Sequence, residues 1–142
     1  MSQVEKVKKE VHKLLTDKFG KVTMDASGKY EFPYESTLMT VEVNEFLGDQ
    51  TLIEFTALLA IDSKSNADVL AWCNSKNMAL RLGSVYHIQD RKSNLTLLGH
   101  SILGDDLDAP ELFTTLRVLT VVADGLDDEF IAEFGGKRYD DI

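Results

Sequence analysis

Val4, Val7, Val11, Leu14 and Leu15 recur at intervals of three and four, with lysines between them. That spacing places apolar side chains on one face of a helix. Phe19 closes the pattern and Gly20 offers a C-terminal stop, so a helix is predicted over about residues 3–19. The period then changes. Ser27-Gly28 separates KVTMD from KYEFPYE, and Pro33 puts the latter at a sheet edge or strand end. In STLMTVEVNEF, Leu38, Thr40, Glu42 and Asn44 alternate with Met39, Val41, Val43 and Glu45, which predicts a strand with one buried face. After the Gly48-Asp49 turn, TLIEFTALLAID reads as a longer, more apolar strand, central in its sheet.

Ser65-Asn66-Ala67-Asp68 resembles an N-terminal capping signal, and the helix DVLAWCNSKN follows, directing Val69, Leu70, Trp72 and Cys73 inward and ending near Asn77. ALRLGSVYHIQD alternates again, with Leu80, Leu82, Tyr86 and Ile88 on one face; RKSN makes a hairpin turn, and NLTLLGHSIL returns. From Asp108 the period is helical: Leu112, Leu116, Leu119, Ala123, Leu126, Phe130 and Phe134 step by three or four to Gly135-Gly136. Gly125 interrupts this run, where a kink or break is expected. The predicted order is helix, three strands, helix, two strands, helix. Short connections between strands favour a mostly antiparallel five-stranded sheet, so residues 1–142 form a single α+β domain.

Composition narrows the function classes. A chain of 142 residues with 44% hydrophobic and 27% charged residues is an ordinary globular domain that needs no metal or disulfide to hold a core. Its one cysteine, Cys73, fits a reducing compartment, and the charged, helical N-terminus lacks a signal peptide's apolar stretch, so a cytoplasmic location is expected, with no membrane partner. A net charge of −9 argues against nucleic acid as a partner. The charge is uneven: residues 104–142 carry 11 acids against 3 bases, whereas the first 21 residues carry six lysines against three acids. These segments can attract each other, but two separately solvated helix faces are the simpler reading.

The densest chemical cluster is HSILGDDLDAPEL, residues 100–112. Ser101 has Gly99 before it, but position 103 is Leu, so the nucleophile elbow is incomplete; adjacent His100 and Ser101 on a strand point to opposite faces. Asp105, Asp106 and Asp108 fail the calcium-loop spacing, because Pro110 and Glu111 occupy ligand and glycine positions. Asp108-Ala109-Pro110-Glu111 instead reads as a capping box: Asp108 accepts from the first turn, Glu111 reaches back, and Pro110 sits where its missing N–H costs nothing. His12, His87 and His100 are scattered, with no zinc signature. No catalytic residue, metal ligand or cofactor site is assigned.

The overall pattern resembles the YbjN family of bacterial proteins, which is related in fold to the class I chaperones of type III secretion. The resemblance spans nearly the whole chain. It rests on the element order, on the block ALRLGSVYHI followed by a hairpin and LLGHSILGDDLDAPEL, and on the long helix with ADGLDDEFIAEFGGKR. It implies a cytoplasmic, often dimeric protein without a known active site. Members of the YbjN family have been described as candidate regulators of sensory transduction, and the related chaperones hold an extended client segment against apolar patches.

Together these readings lead to a non-enzymatic chaperone-like or adaptor protein that binds a polypeptide segment, with a homodimer as a further expectation. An exposed strand edge or an apolar groove between helix and sheet can serve. The groove or dimer candidates are Trp72, Tyr86, Leu98, Ile102, Phe113 and Leu116, although the pattern favours most of these as core. One alternative is an enzyme or small-ligand sensor around His87, His100 and Asp90; another is a structural homodimer within a larger assembly.

Overall fold

The structure, a computed structural model, describes residues 2–89 and 92–141. It is an α+β fold of two layers, a six-stranded antiparallel sheet with its three helices on one face. Helix α1 spans Gln3–Phe19, α2 Ala67–Ala79 and α3 Ala109–Phe134. The strands are β1 Thr23–Met24, β2 Tyr30–Tyr34, β3 Thr37–Phe46, β4 Gln50–Ile61, β5 Ser84–Gln89 and β6 Asn94–Leu103, in the spatial order β1-β2-β3-β4-β6-β5. The sheet has one strand more than the sequence pattern suggests. Strand β1 is only two residues long and exists through its pairing of Thr23 with Glu31 and Met24 with Tyr30.

The helices end where local chemistry stops them. Ser2 Oγ accepts from Glu5 N–H at 3.2 Å, and Gly20 closes α1 with φ +78°. Asn66, one residue later than the first position of the expected cap, accepts from Val69 N–H at 3.1 Å. Asp108 Oδ1 accepts from Glu111 N–H at 2.7 Å, with Pro110 in the first turn. Helix α3 runs unbroken through Gly125; at 26 residues it is about 39 Å long. The break that the glycine makes possible does not occur: the position is solvent-exposed, and Leu119, Ala123 and Phe130 on either side are buried in the core.

The core lies between the layers. Met39, Val41 and Val43 of β3, Ile53, Phe55, Ala57 and Leu59 of β4, and Val85 and Leu98 face the helices. Val7, Val11 and Leu15 of α1 and Leu112, Leu116, Leu119 and Phe130 of α3 close over them. Trp72 of α2 packs edge-on to Phe130, ring centroids 5.0 Å apart, and beside Phe134 at 6.3 Å. Strand β4 carries a bulge: Leu58 pairs with Leu97 and Ala60 with Thr96, leaving Leu59 as the extra residue.

Strand β5 departs from the expected alternation. It begins only at Ser84, after Gly83 takes φ +85°, so Leu80 and Leu82 precede it. Gly83 is required by more than its φ: a Cβ there would meet Leu98 Cδ1 at 2.9 Å. The inward residue of β5 is Val85, and Tyr86 and Ile88 point to the face opposite the helices.

Candidate functional site

The sheet face without helices carries apolar surface at Tyr86, Ile88 and Leu103; the helices leave Leu70, Met78 and Val121 exposed elsewhere. Strand registers arrange its side chains in rows across the strands. One row is Pro33, Leu38, Leu58, Leu97 and Tyr86, apolar over five strands; beside it lie Ile61, Leu95 and Ile88. The next row is Glu31, Thr40, Thr56, Gly99 and Ser84, small or polar on all five strands. Beyond it stand Glu42, Glu54 and Ser101. Tyr86 is 38% exposed and Ile88 44%.

These heights make a groove. Thr40, Thr56 and Gly99 form its floor, the apolar row one wall, and the glutamates the other. Two contiguous hollows lie along it. One, of about 370 Å³, is lined in part by Glu31, Thr40, Thr56, Tyr86, Ile88 and Leu97. The other, of about 350 Å³, is lined in part by Glu54, Thr56, Tyr86, Gly99 and Ser101. Gly99 permits the junction. The Tyr86 ring lies across it, and a Cβ at Gly99 would meet Tyr86 Cε1 at 2.9 Å.

The other sequence candidates fall elsewhere. Leu98 and Leu116 are core residues with no surface to offer a partner, Trp72 is buried in the same core, and Ile102 packs partly buried against it. Hydrophobicity, the property that marks them in the sequence, is shared by core and docking residues. Phe113 is half-buried beside a shallow hollow with Lys18, Tyr34, Pro110 and Arg117, its ring 5.7 Å from Lys18 Nζ. Only Tyr86 of the six lies on the open face.

The histidines do not converge. Register pairs His87 with Thr96 and His100 with Phe55, so the two are four residues apart along β6, about 13 Å. His87 Nδ1 is 2.8 Å from Thr96 Oγ1 and its Nε2 2.9 Å from Ser65 Oγ. His100 Nδ1 accepts from Gly83 N–H at 3.2 Å. Burial lowers the pKa of both imidazoles. Asp90, the third member of that expected constellation, lies outside the described residues.

Two of the acids of residues 105–111, Asp105 and Asp108, have structural partners, and Glu111 takes part in the cap through its backbone N–H. Asp105 bridges Gln3 Nε2 at 2.8 Å and Thr51 N–H at 3.2 Å, and Asp108 caps α3 through the Glu111 backbone. Among the described residues no cluster of His, Cys, Asp and Glu is arranged to hold a metal, and no helix is long and apolar enough to cross a membrane.

One polar feature gave no clear sequence signal. Asn77, expected only to end α2, reaches the outer edge of β5. Its Nδ2 donates to Val85 carbonyl at 2.9 Å, and its Oδ1 accepts from Val85 N–H at 2.6 Å. A side-chain amide thereby stands where a neighbouring strand would.

The architecture matches that of YbjN from E. coli, described as a candidate transcription regulator. Its crystal structure aligns with a TM-score of 0.71 over 92% of this chain and 96% of that one, at 10% identity, a likeness of fold. No curated protein matches the sequence. The model of the family described as "T3SS (YopN, CesT) and YbjN peptide-binding chaperone 1" matches residues 5–142, nearly the whole chain, in keeping with the resemblance read from the sequence. The chain belongs to the T3SS (YopN, CesT) and YbjN peptide-binding chaperone 1 family.

Proposed function

We propose that the protein is a non-enzymatic chaperone-like or adaptor domain that holds an extended polypeptide segment in the groove of its open sheet face. The observation that carries this reading is the apolar row from Pro33 to Tyr86 on a face that no helix covers. An antiparallel sheet with one solvated face ordinarily alternates apolar-in and polar-out. Here Leu38, Leu58 and Leu97 occupy outward positions. The family's peptide-binding character agrees with such a surface. The dispersal of His87 and His100 speaks for binding over catalysis.

Fluorescence anisotropy with a labelled, permanently unfolded polypeptide tests the reading. Tyr86→Ala and Ile88→Ser alter exposed side chains, so both variants should fold. Each is expected to weaken binding about fivefold or more, the scale of an aromatic or aliphatic anchor. Phe113→Ser, on the opposite layer, is expected to leave binding unchanged. Unchanged binding in Tyr86→Ala and Ile88→Ser would overturn the assignment. The competing occupant is a second copy of the chain; a solution mass of two chains that falls to one in Ile88→Ser, with no peptide binding in either, would identify it.

A further inference from the structure

The groove's two walls differ in charge as well as in polarity. Glu42 and Glu54 stand directly opposite each other on β3 and β4, a like-charge pairing that costs a sheet stability. Each is only partly answered. Lys29 Nζ lies 3.8 Å from Glu42, and Asn44 Nδ2 donates to Glu54 at 2.6 Å. Glu31 of β2 stands at the end of the floor row. With Asp25 beside Lys29, four carboxylates and one ammonium therefore border the floor, whereas the Pro33–Tyr86 wall carries no charge.

An extended chain laid along the floor sends alternate side chains to opposite sides. One set would meet the apolar row and the other the glutamates. Thr40 and Thr56 on the floor, with Ser84 and Ser101 at its end, supply hydroxyls for the segment's backbone groups. We propose that the groove selects an extended segment in which apolar residues alternate with lysine or arginine. The apolar side chains rest on Tyr86 and on the half-buried Leu38 and Leu58, with the largely buried Leu97 between them, and the cations lie at Glu42 and Glu54. This specificity rests on the reading that the open face holds a polypeptide, and deepens it by naming the client's chemistry.

The test uses the full chain and four short fluorescent peptides of strictly alternating sequence: Leu-Lys, Leu-Ser, Leu-Glu and Ser-Lys. Leu-Lys is expected to bind most tightly, Leu-Ser more weakly, and Leu-Glu and Ser-Lys weakest. The Glu42→Gln and Glu54→Gln variants are each expected to weaken Leu-Lys binding about fivefold, the upper range for a solvent-accessible ion pair, and to leave Leu-Ser unchanged. The loss should shrink with added salt. A double variant elsewhere, Glu133→Gln with Asp140→Asn, controls for the net charge of −9 and should change nothing. Equal affinity for Leu-Lys and Leu-Ser would overturn the charge selection while leaving the peptide reading intact. So would equal weakening by the groove and control variants. Failure of all four peptides to bind would overturn both.

Discussion

Replacing Asp108 separates the structural from the chemical reading of the acidic stretch before α3. Asp108 is exposed, has extended backbone (φ −114°, ψ 156°), and accepts from Glu111 N–H at 2.7 Å. Asp108→Ala removes both this hydrogen bond and a negative charge from the positive end of a 26-residue helix. Loss of such a cap costs about 0.5–2 kcal/mol, typically about 1. The charge accounts for about 0.3–1 kcal/mol of an exposed site of this kind. Asp108→Asn keeps an acceptor oxygen and loses only the charge, so it should fall between the wild type and the alanine variant. An unfolding entropy of about 2.1 cal/mol/K per residue over 142 residues turns 1 kcal/mol into about 3 °C of melting temperature. Thermal unfolding followed by circular dichroism at low and high salt resolves the two parts: the asparagine deficit should shrink with salt, and the remaining alanine deficit should not. Peptide binding at the groove should be unaffected. An alanine variant that melts with the wild type would refute the cap.

Three further substitutions probe the layers that carry the groove. Gly125→Ala should stabilise the protein by up to about 1 kcal/mol in urea unfolding, because a Cβ there meets nothing within 4 Å; destabilisation would mean that the glycine has a packing role. Phe130→Ala should cost about 3–5 kcal/mol, since its fully buried ring also makes aromatic contacts with Trp72 and Phe134, and Trp72, the single tryptophan, should report the loss through its emission; a cost below about 1 kcal/mol would contradict this packing. Asp127, buried in α3, is held above the usual carboxylate range by burial, against the lowering effects of Ser36 and Arg138. The folded chain binds this proton more tightly, so the associated stability is full below the unfolded value of about 3.9 and is lost as pH rises through the raised folded value. The stability of Asp127→Asn relative to wild type should therefore grow as pH rises through that window and then level off; a flat difference would refute the assignment.

Local patterns made much of this fold legible. Helix α1 could be read to its ends because its apolar spacing and the Gly20 stop are contained in one segment. Strands β3 and β4 could be read because Met39, Val41, Val43, Ile53 and Phe55 alternate with polar or less buried neighbours. Strand β1 was not legible, since two residues become a strand only through a distant partner. The start of β5 was obscured by Gly83, whose left-handed φ separates Leu80 and Leu82 from the alternation that follows. The open face was hidden for a different reason. Alternation groups Leu38 with Thr40, Glu42 and Asn44, and does not say that Leu58 and Leu97 stand in line with it on the neighbouring strands. Their position on a helix-free face depends on where the helices pack, which is a property of the whole chain.

A sheet can hold a peptide at its edge or on its face, and Asn77 bears on which route is open. At one end of the sheet the edge strand β1 is only two residues long, and β2 carries Pro33, which has no N–H to give. At the other end the outer edge of β5 would be available, but both backbone groups of Val85 are bonded to the Asn77 amide. Next to it, Ser65 Oγ bonds His87 Nε2 and Gln89 Oε1 at 2.9 and 3.1 Å, bringing another polar side chain to this end of β5. Asn77→Ala removes two hydrogen bonds that water can partly replace, at about 1–3 kcal/mol together. It also uncovers the start of the edge at Val85. Concentration-dependent self-association by light scattering should rise, because an unguarded strand edge pairs with its like. Peptide affinity measured at low protein concentration should stay at the wild-type level if the groove is the site. An affinity that increases in Asn77→Ala, together with an unchanged affinity in Tyr86→Ala, would move the binding site from the face to the edge.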